Sequence, residues 1–274
     1  MMARAIAIAT SGQRCFTASS YLLDNAYNDA PMSLPYRDFY YPLNVFMHVL
    51  TLEQGSVSYL HYGLFEQENE PLSVAQERST EMLLARLPKP PARLLDVGTG
   101  LGTTLTRLTT LGYDVLGITP DEKQIALLDP SLNARCIAFE NIASTERFDT
   151  VIFQESSQYI PTDALFAKAA EITRHVVVLD EFTIGSDGTL HRLDEFLASA
   201  QQHGFTKTEE LDLTQQATPT ITYVTSLIDK HRDALRDDLG ITSEQIAELI
   251  DSGARYAGSY RAGTYGYRLL QFTR

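Results

Sequence analysis

Three glycines at alternate positions follow a short apolar segment that carries an acid, Asp96. The glycines are Gly98, Gly100 and Gly102. Glycine adopts positive φ at little steric cost and lets a ligand approach the backbone closely. The helix that we predict from Thr103 would present free N–H groups and a positive dipole end to such a ligand. The pattern predicts a buried strand, a ligand-binding turn and a helix, with Asp96 placed to hold a charged or hydroxylated ligand group.

A second candidate group, Glu155, follows the apolar segment 148–153, which we predict to be a buried strand. Ligands of α/β sheets bind at the carboxyl ends of the strands. Burial there would raise the pKa of a carboxyl group toward the range that suits a general base. Asp180 and Glu181 end the next predicted strand and could share this role. Helix capping or a solvated loop is the alternative for all three carboxyl groups.

Near-continuous apolar segments alternate with helical ones along most of the chain. We predict strands at 93–97, 113–118, 134–139, 148–153, 175–180, 208–213 and 264–273. We predict helices at 103–111, 121–128, 162–171 and 190–202. Apolar strands that alternate with helices indicate a parallel sheet covered on both faces.

Two further regions flank this pattern. Residues 1–88 are predicted to form an N-terminal lid, rich in aromatics, with helices at 43–52 and 72–87. The second of these has apolar positions at Val74, Met82, Leu83, Leu84 and Leu87. Residues 214–262 are predicted to form a cap, with helices near 220–237 and 243–257. The predicted sheet core is then 89–213, completed by a final strand within 263–274.

The composition disfavours several classes of partner. The 274 residues carry a net charge of −13, and their 22 Lys and Arg form no basic cluster, so a nucleic-acid partner is disfavoured. No apolar segment approaches the ~18 residues of a membrane span. Because the N-terminus also lacks a convincing signal peptide, we expect a cytoplasmic protein with no membrane partner. Cys15 and Cys136 lack metal-ligand spacing and suit a reducing compartment.

The glycine spacing after Asp96 resembles the first motif of class I methyltransferases that depend on S-adenosylmethionine (SAM). The resemblance covers about residues 57–213 and the final strand. It implies an α/β fold with a Rossmann-like, mostly parallel seven-stranded sheet, and SAM as the cofactor. The residues that would then face the amino-acid end of SAM are Asp96, Gly98, Thr99, Gly100 and Gly102.

Later segments extend the resemblance to the rest of the cofactor. Thr119, followed by Pro120, stands where most family members carry an acid that binds the ribose hydroxyls. Some members of the small-molecule branch have Ser or Thr there, so the resemblance implies one hydroxyl contact. The segment that would lie beside the adenine consists of Glu140, Asn141 and Ile142.

The segment 154–160 resembles the turn that faces the transferred methyl group in small-molecule methyltransferases related to sugar, sterol and isoprenoid methylation. The resemblance implies Gln154 and Glu155 as cofactor contacts, and Glu155 and Tyr159 as catalytic residues. Tyr159 replaces a His that many members carry. Cyclopropane-fatty-acid synthases have Glu-His where this chain has Gln158-Tyr159, so cyclopropanation is disfavoured.

Upstream, the segment 61–65 resembles the His-x-Gly-aromatic segment that covers SAM in the same branch. It implies His61 as a third catalytic candidate and Tyr62 as a cofactor contact, with a structural role as the alternative for His61. The substrate-binding candidates are Tyr59 from the lid and Arg255, Tyr256 and Tyr260 from the cap. Tyr and Arg suit a small polar or anionic substrate, although core packing or an oligomer contact would also explain this cap face.

These features predict a SAM-dependent methyltransferase that methylates oxygen, nitrogen or carbon of a small metabolite, for example in secondary metabolism. One alternative is a C-methyltransferase of an isoprenoid or lipid-like substrate. Another is a non-catalytic partner protein that binds SAM or S-adenosylhomocysteine (SAH). A nicotinamide-dependent oxidoreductase is disfavoured by the glycine spacing. The oligomeric state stays open, with a homodimer as one option.

Overall fold

The computed structural model describes residues 34–67 and 69–274. Cys15 and the first part of the predicted lid lie outside these residues. The chain has seven strands in the described part: β1 (Arg93–Val97), β2 (Asp114–Thr119), β3 (Ala134–Cys136), β4 (Thr150–Gln154), β5 (His175–Thr183), β6 (Thr206–Asp212) and β7 (Tyr265–Thr273). They form one sheet in the order β3-β2-β1-β4-β5-β7-β6.

Strands β1 to β5 are parallel, and β7 runs antiparallel to both of its neighbours, β5 and β6. The central strands are apolar on both faces, and each face packs against its own hydrophobic core. This arrangement is expected of a parallel sheet with helices on both sides. The predicted seven-stranded, mostly parallel α/β sheet is therefore confirmed.

The helices of the described chain are α1 (Leu43–Gln54), α2 (Leu72–Leu84), α3 (Thr103–Thr110), α4 (Glu122–Leu127), α5 (Thr162–Ile172), α6 (Leu193–Gln202), α7 (Thr214–Ala217), α8 (Pro219–Lys230), α9 (Arg232–Leu239) and α10 (Ser243–Arg261). None of them is both long and apolar enough to cross a membrane. Helices α1, α8 and α10 contribute to the same core as β1 and β7, so the lid and the cap pack on one face of the sheet.

The predicted helix 220–237 is wrong as a single element, because the chain breaks at His231 between α8 and α9. The sequence there contains neither Gly nor Pro, the usual signals for a break. The bend is held by tertiary contacts instead. Lys230 Nζ and His231 Nε2 both reach Glu53 Oε2 on α1, at 2.7 Å and 3.1 Å.

Helix α2 also buries a face other than the predicted apolar one. Val74 is 47% exposed, whereas Gln76, Ser79 and Thr80 are buried. The buried polar face holds the loop that precedes α2. Gln76 Nε2 donates hydrogen bonds to the carbonyl oxygens of Tyr59 and His61, at 3.3 Å and 2.6 Å. The predicted burial of Val74 is therefore wrong, because polar side chains are needed to satisfy this buried backbone.

Candidate functional site

A cavity of about 850 Å³ opens at the carboxyl ends of β1, β2 and β4. Small-molecule sites in proteins typically measure ~300–1,000 Å³ and lie at this edge of an α/β sheet. Its walls include ten of the predicted cofactor and catalytic residues: Asp96, Gly98, Thr99, Gly100, Thr119, Pro120, Glu140, Gln154, Glu155 and Tyr159. His61 and Tyr59 also line it. The cavity is the candidate functional site.

The glycine turn between β1 and α3 forms the floor of this cavity. Gly98 and Gly100 have φ of 77° and 54°, which glycine adopts more easily than other residues. A Cβ at Gly98 would lie 2.5 Å from Cβ of Ser156, so only glycine fits against the neighbouring turn. Gly102 is not part of the cavity wall. Its φ of 77° starts α3, and a Cβ there would lie 2.7 Å from Leu128.

Three polar atoms near this turn have no hydrogen-bond partner within the described chain. They are Oδ2 of Asp96, an acceptor, Nε2 of Gln154, a donor, and the hydroxyl oxygen of Thr99. Burial raises the pKa of Asp96 to about 6, and the Thr99 hydroxyl partly offsets the effect. Gln154 is oriented by its other amide atom, because its Oε1 accepts a hydrogen bond from Thr104 at 3.2 Å. Unsatisfied buried polar atoms are rare in proteins and suggest a missing ligand.

Glu155 stands at the end of β4 in a left-handed conformation, with φ of 55°. Its Oε1 accepts hydrogen bonds from the Tyr62 backbone N–H at 2.5 Å and from the Tyr267 hydroxyl at 2.7 Å. Burial and the nearby Glu181 carboxyl raise the pKa of Glu155 well above its ordinary value. Strained backbone with an anchored, perturbed carboxyl group is typical of a functional position.

Asp180 holds the turn that carries Tyr159. Its Oδ2 accepts hydrogen bonds from the Ser157 backbone N–H at 2.9 Å and from the Ser157 hydroxyl at 2.6 Å. Burial raises the pKa of Asp180 to about 7. Since Asp180 is fully buried and is not part of the cavity wall, it positions the turn rather than contacting a ligand.

The predicted substrate residues of the cap do not lie on this cavity. Tyr256 and Tyr260 donate their hydroxyl hydrogens to Glu181 Oε1, at 2.9 Å and 2.5 Å, and Arg255 is exposed on the same helix. The three residues lie outside the wall of this cavity, and their substrate role stays a prediction. The two tyrosines, one helical turn apart, satisfy a buried carboxyl group of β5. The spacing of the two tyrosines predicted that they share a helix face, but it did not predict Glu181 as their partner.

His61 lines the cavity, but its ring nitrogens are both engaged. Nδ1 lies 2.9 Å from the carbonyl oxygen of Tyr62 and must donate to it, so Nε2 accepts from the Thr80 hydroxyl at 3.1 Å. Burial lowers the pKa of His61 to about 4. A neutral ring with both nitrogens engaged favours the structural alternative for His61. Its catalytic role stays a prediction.

Tyr62 contacts Glu155 through its backbone, because its N–H donates a hydrogen bond to that carboxyl group. Its side chain is 1% exposed and stacks on Tyr267, with 5.6 Å between the ring centroids. The ring packs in the core and does not line the cavity, so its predicted cofactor contact stays a prediction.

The side of the cavity beside β2 and β3 holds some, but not all, of the residues predicted to contact the ribose and the adenine. Thr119 Oγ1 donates a hydrogen bond to Gln124 Oε1 at 2.9 Å, so the two side chains form a neutral polar pair. Glu140 lines the cavity, but Asn141 is exposed away from it and Ile142 is buried in the core below. Asn141 and Ile142, at the end of the short helical turn Phe139–Asn141, do not line the cavity, and their adenine contacts stay a prediction.

Sequence reasoning missed several wall residues. Phe39, Tyr40, Leu101, Lys123 and Ile137 all line the cavity. Phe39 and Tyr40 belong to the aromatic stretch of the predicted lid, and this stretch could have indicated that the lid contributes to the cavity wall. Lys123 follows the cap of α4, and its ammonium donates a hydrogen bond to the Asp38 carbonyl oxygen. This contact joins the lid to the rim of the sheet.

Comparison with known proteins reveals similarity of two kinds. No protein-family model matches the chain. The ubiquinone biosynthesis O-methyltransferase of Bradyrhizobium diazoefficiens is 34% identical over 83 residues, which are 28% of this chain and 33% of that protein. The chain thus matches about a third of the length of this curated relative.

Solved structures match over most of the chain. The cyclopropane synthase MmaA2 from Mycobacterium tuberculosis superposes with a TM-score of 0.71 at 17% identity, covering 88% of this chain and 96% of that one. The chain has the class I methyltransferase fold. The geranyl diphosphate C-methyltransferase from Streptomyces coelicolor A3(2), solved with Mg²⁺, geranyl-S-thiolodiphosphate and SAH, matches with a TM-score of 0.61. That match has 17% identity and covers 84% of this chain and 92% of that one.

Proposed function

We propose that this protein is a SAM-dependent methyltransferase of a small molecule. The observation that carries the proposal is the glycine turn beside Asp96, whose Oδ2 has no described partner at the floor of a ligand-sized cavity. The curated relative with 34% identity over 83 residues is named as an O-methyltransferase. The structural relative from Streptomyces coelicolor was solved with SAH, the product form of the cofactor.

The residues present fit this cofactor. An ammonium group would satisfy Asp96 Oδ2, and a carboxylate would satisfy Nε2 of Gln154, so these two unpartnered atoms together suit an amino acid. Thr119 and Gln124 offer neutral hydrogen bonds suited to hydroxyl groups of a ribose. Glu140 lies on the same wall and would accept a hydrogen bond from the amino group of adenine.

When bound, SAM supplies a methyl group on a positively charged sulfur, and its transfer needs an aligned acceptor. Glu155 is placed to accept the proton that an acceptor hydroxyl or amine loses. The Tyr62 N–H and the Tyr267 hydroxyl fix Oε1, and the residue lines the cavity. Holding the acceptor and the base in one geometry can supply ~7–11 kcal/mol of the barrier reduction. Tyr159 borders the same space and would exclude water from it.

Titration of the purified protein with SAH in a calorimeter tests the cofactor assignment. We expect micromolar binding at one site per chain. Asp96→Ala should weaken this binding severely, because the ammonium group of the ligand loses its only charged partner at the turn. Asp251→Asn, which removes a carboxylate on the exposed surface of α10, serves as the control and should bind SAH normally. A folded protein that does not bind SAH would refute the proposal.

A further inference from the structure

The cavity wall has a distinct chemical character. It includes three tyrosines, Tyr40, Tyr59 and Tyr159, together with Glu155. Across the whole cavity, the described wall residues include six with carboxyl groups: Asp38, Asp96, Asp121, Glu122, Glu140 and Glu155. Lys123 is the one Lys or Arg among the described wall residues, and its ammonium is held by the Asp38 carbonyl oxygen. The walls are therefore strongly acidic.

The tyrosines contribute aromatic faces and no charge. Tyr40 is half-buried, and its hydroxyl is buried without a hydrogen-bond partner in the described chain. Burial raises the pKa of both Tyr40 and Tyr159, and each responds to carboxyl groups around it, so both hydroxyls stay protonated. Neutral aromatic rings attract cations through their electron-rich faces.

Among the described residues, Glu155 accepts hydrogen bonds from neutral donors. Its two hydrogen bonds come from a backbone N–H and a tyrosine hydroxyl. Asp180, close behind it, likewise accepts its hydrogen bonds from two backbone N–H groups and a serine hydroxyl. Buried carboxylates are normally paired with a cation. The groups that face Glu155 are Tyr62 from the loop before α2, Asp180 and Glu181 from β5, and Tyr267 from β7.

We propose that the acceptor is an amine, which enters the cavity as an ammonium ion and is received by Glu155, Tyr40 and Tyr159. This inference rests on the methyltransferase function proposed above. The ammonium N–H bond breaks, and its proton moves to the carboxylate of Glu155. The freed electron pair of nitrogen forms the new bond to the methyl carbon, while the electron pair of the broken carbon–sulfur bond stays on sulfur. The methylated amine then carries the positive charge, and Glu155 returns its proton to solvent.

The same arrangement selects against negatively charged acceptors. A diphosphate or a carboxylate would enter a cavity whose described walls hold six carboxyl groups and one engaged ammonium. The anionic substrate considered from the sequence depended on Arg255, which is exposed on α10 and does not line the cavity. An amine acceptor replaces that expectation.

Three small probes of similar branched shape but different charge test this inference. They are tetramethylammonium, tert-butanol and pivalate, titrated into the SAH-saturated protein and followed by NMR line shifts. We expect tetramethylammonium to bind at least tenfold more tightly than either of the others. Tighter or equal binding of pivalate, or no binding of tetramethylammonium, overturns the inference. A protein that cannot be saturated with SAH refutes the methyltransferase proposal instead, so the two failures are distinguishable.

Titrations of variants then test which residues bind tetramethylammonium. Glu155→Gln should remove the preference for tetramethylammonium over tert-butanol, and Tyr40→Leu should reduce it severalfold. The matched control is Asp251→Asn, which changes the net charge as Glu155→Gln does but lies on the exposed surface of α10. An equal loss in Asp251→Asn, or no loss in the other two variants, would contradict a cation subsite at Glu155.

The sulfonium of the cofactor is a second source of positive charge, and it is distinguished by repeating the titration with SAM in place of SAH. If the subsite serves the acceptor, tetramethylammonium binds to both complexes with similar affinity. If binding survives only with SAH, the subsite belongs to the sulfonium, and the amine assignment is wrong.

Discussion

The carboxyl group of Asp96 is only 2% exposed, and one of its oxygens has no partner among the described residues. Such a group destabilises the ligand-free protein, because ionisation in a buried place is penalised. The folded-state pKa of about 6 lies above the ordinary value of 3.8. A shift of about two pH units corresponds to about 3 kcal/mol of lost stability.

Asp96→Asn should therefore stabilise the ligand-free protein while it weakens SAH binding. Between pH 4 and pH 6 the native state keeps a proton that the unfolded chain has released, so the destabilisation by Asp96 grows across this interval and stays constant above it. Urea unfolding of both proteins at pH 4, 5, 6 and 7 measures the effect. We expect the variant to gain up to about 3 kcal/mol by pH 7. A pH-independent difference would contradict this origin.

Among individual residues, the sequence predicted the polar side chains that follow the ends of strands. Asp96, Thr119 and Glu155 end β1, β2 and β4 or follow them directly, and parallel strands bring their carboxyl ends to one edge. It did not foresee the contacts of Tyr256 and Tyr260 with Glu181, which is distant along the chain. It also did not foresee the contact of His61 with Thr80, on a helix face that sequence periodicity did not identify.

Among the elements, the turn between β1 and α3 is fixed by a contact with the turn after β4. Gly98 and Gly55 have similar φ, 77° and 79°, but only Gly98 is close to another residue, Ser156. Substituting each glycine by alanine therefore distinguishes two costs in stability. Gly55 reports the cost of a Cβ in the left-handed backbone conformation, and Gly98 reports that cost together with a steric collision.

Gly98→Ala is expected to cost more stability than Gly55→Ala. Both variants lose about 1–2 kcal/mol for a Cβ in the left-handed conformation. Gly98→Ala should lose a further ~1–3 kcal/mol, since the backbone must move to relieve the contact with Ser156. It should also lose SAH binding, which Gly55→Ala should retain. If urea unfolding shows that both variants lose the same free energy of unfolding, the turn after β4 moves to accommodate the Cβ without a cost in stability.

Helix α10 is attached to β5 through the hydroxyls of Tyr256 and Tyr260 on Glu181. Each of Tyr256→Phe and Tyr260→Phe removes one donor from a buried carboxyl group, and we expect each to cost about 1–3 kcal/mol of unfolding free energy. Tyr223→Phe, on the partly exposed surface of α8, is the control and should change it by less than about 0.5 kcal/mol. If the Phe variants are as stable as the parent, these hydrogen bonds do not attach the helix.

The order and type of the elements were largely predictable, because apolar strands and helices alternate clearly from residue 93 onward. The break at His231 was not, since it depends on Glu53 of α1. The buried face of α2 was not either, because Gln76 and Thr80 are polar and are buried to satisfy the loop before them. Both errors come from tertiary hydrogen bonds that override local patterns.

For the whole molecule, a ligand that binds only the folded state adds to its stability by mass action. SAH at 100 times its dissociation constant should add about 2.7 kcal/mol to the free energy of unfolding. For a chain of this size that corresponds to a rise in Tm of roughly 5–10 °C. Thermal unfolding with and without SAH measures the shift, and NAD at the same concentration is the control. A shift with NAD as large as with SAH would favour a nicotinamide-binding protein.

Strand β7 is the last strand to be synthesised, yet it lies between β5 and β6 in the sheet. Strand β6 joins the sheet only through β7, yet four helices, α7 to α10, lie between them in the chain. While a ribosome is still synthesising these helices, β5 has an open edge and β6 has no strand to pair with. Exposed edges of this kind invite association with other chains. The nascent protein should therefore depend on protection by a chaperone until β7 emerges.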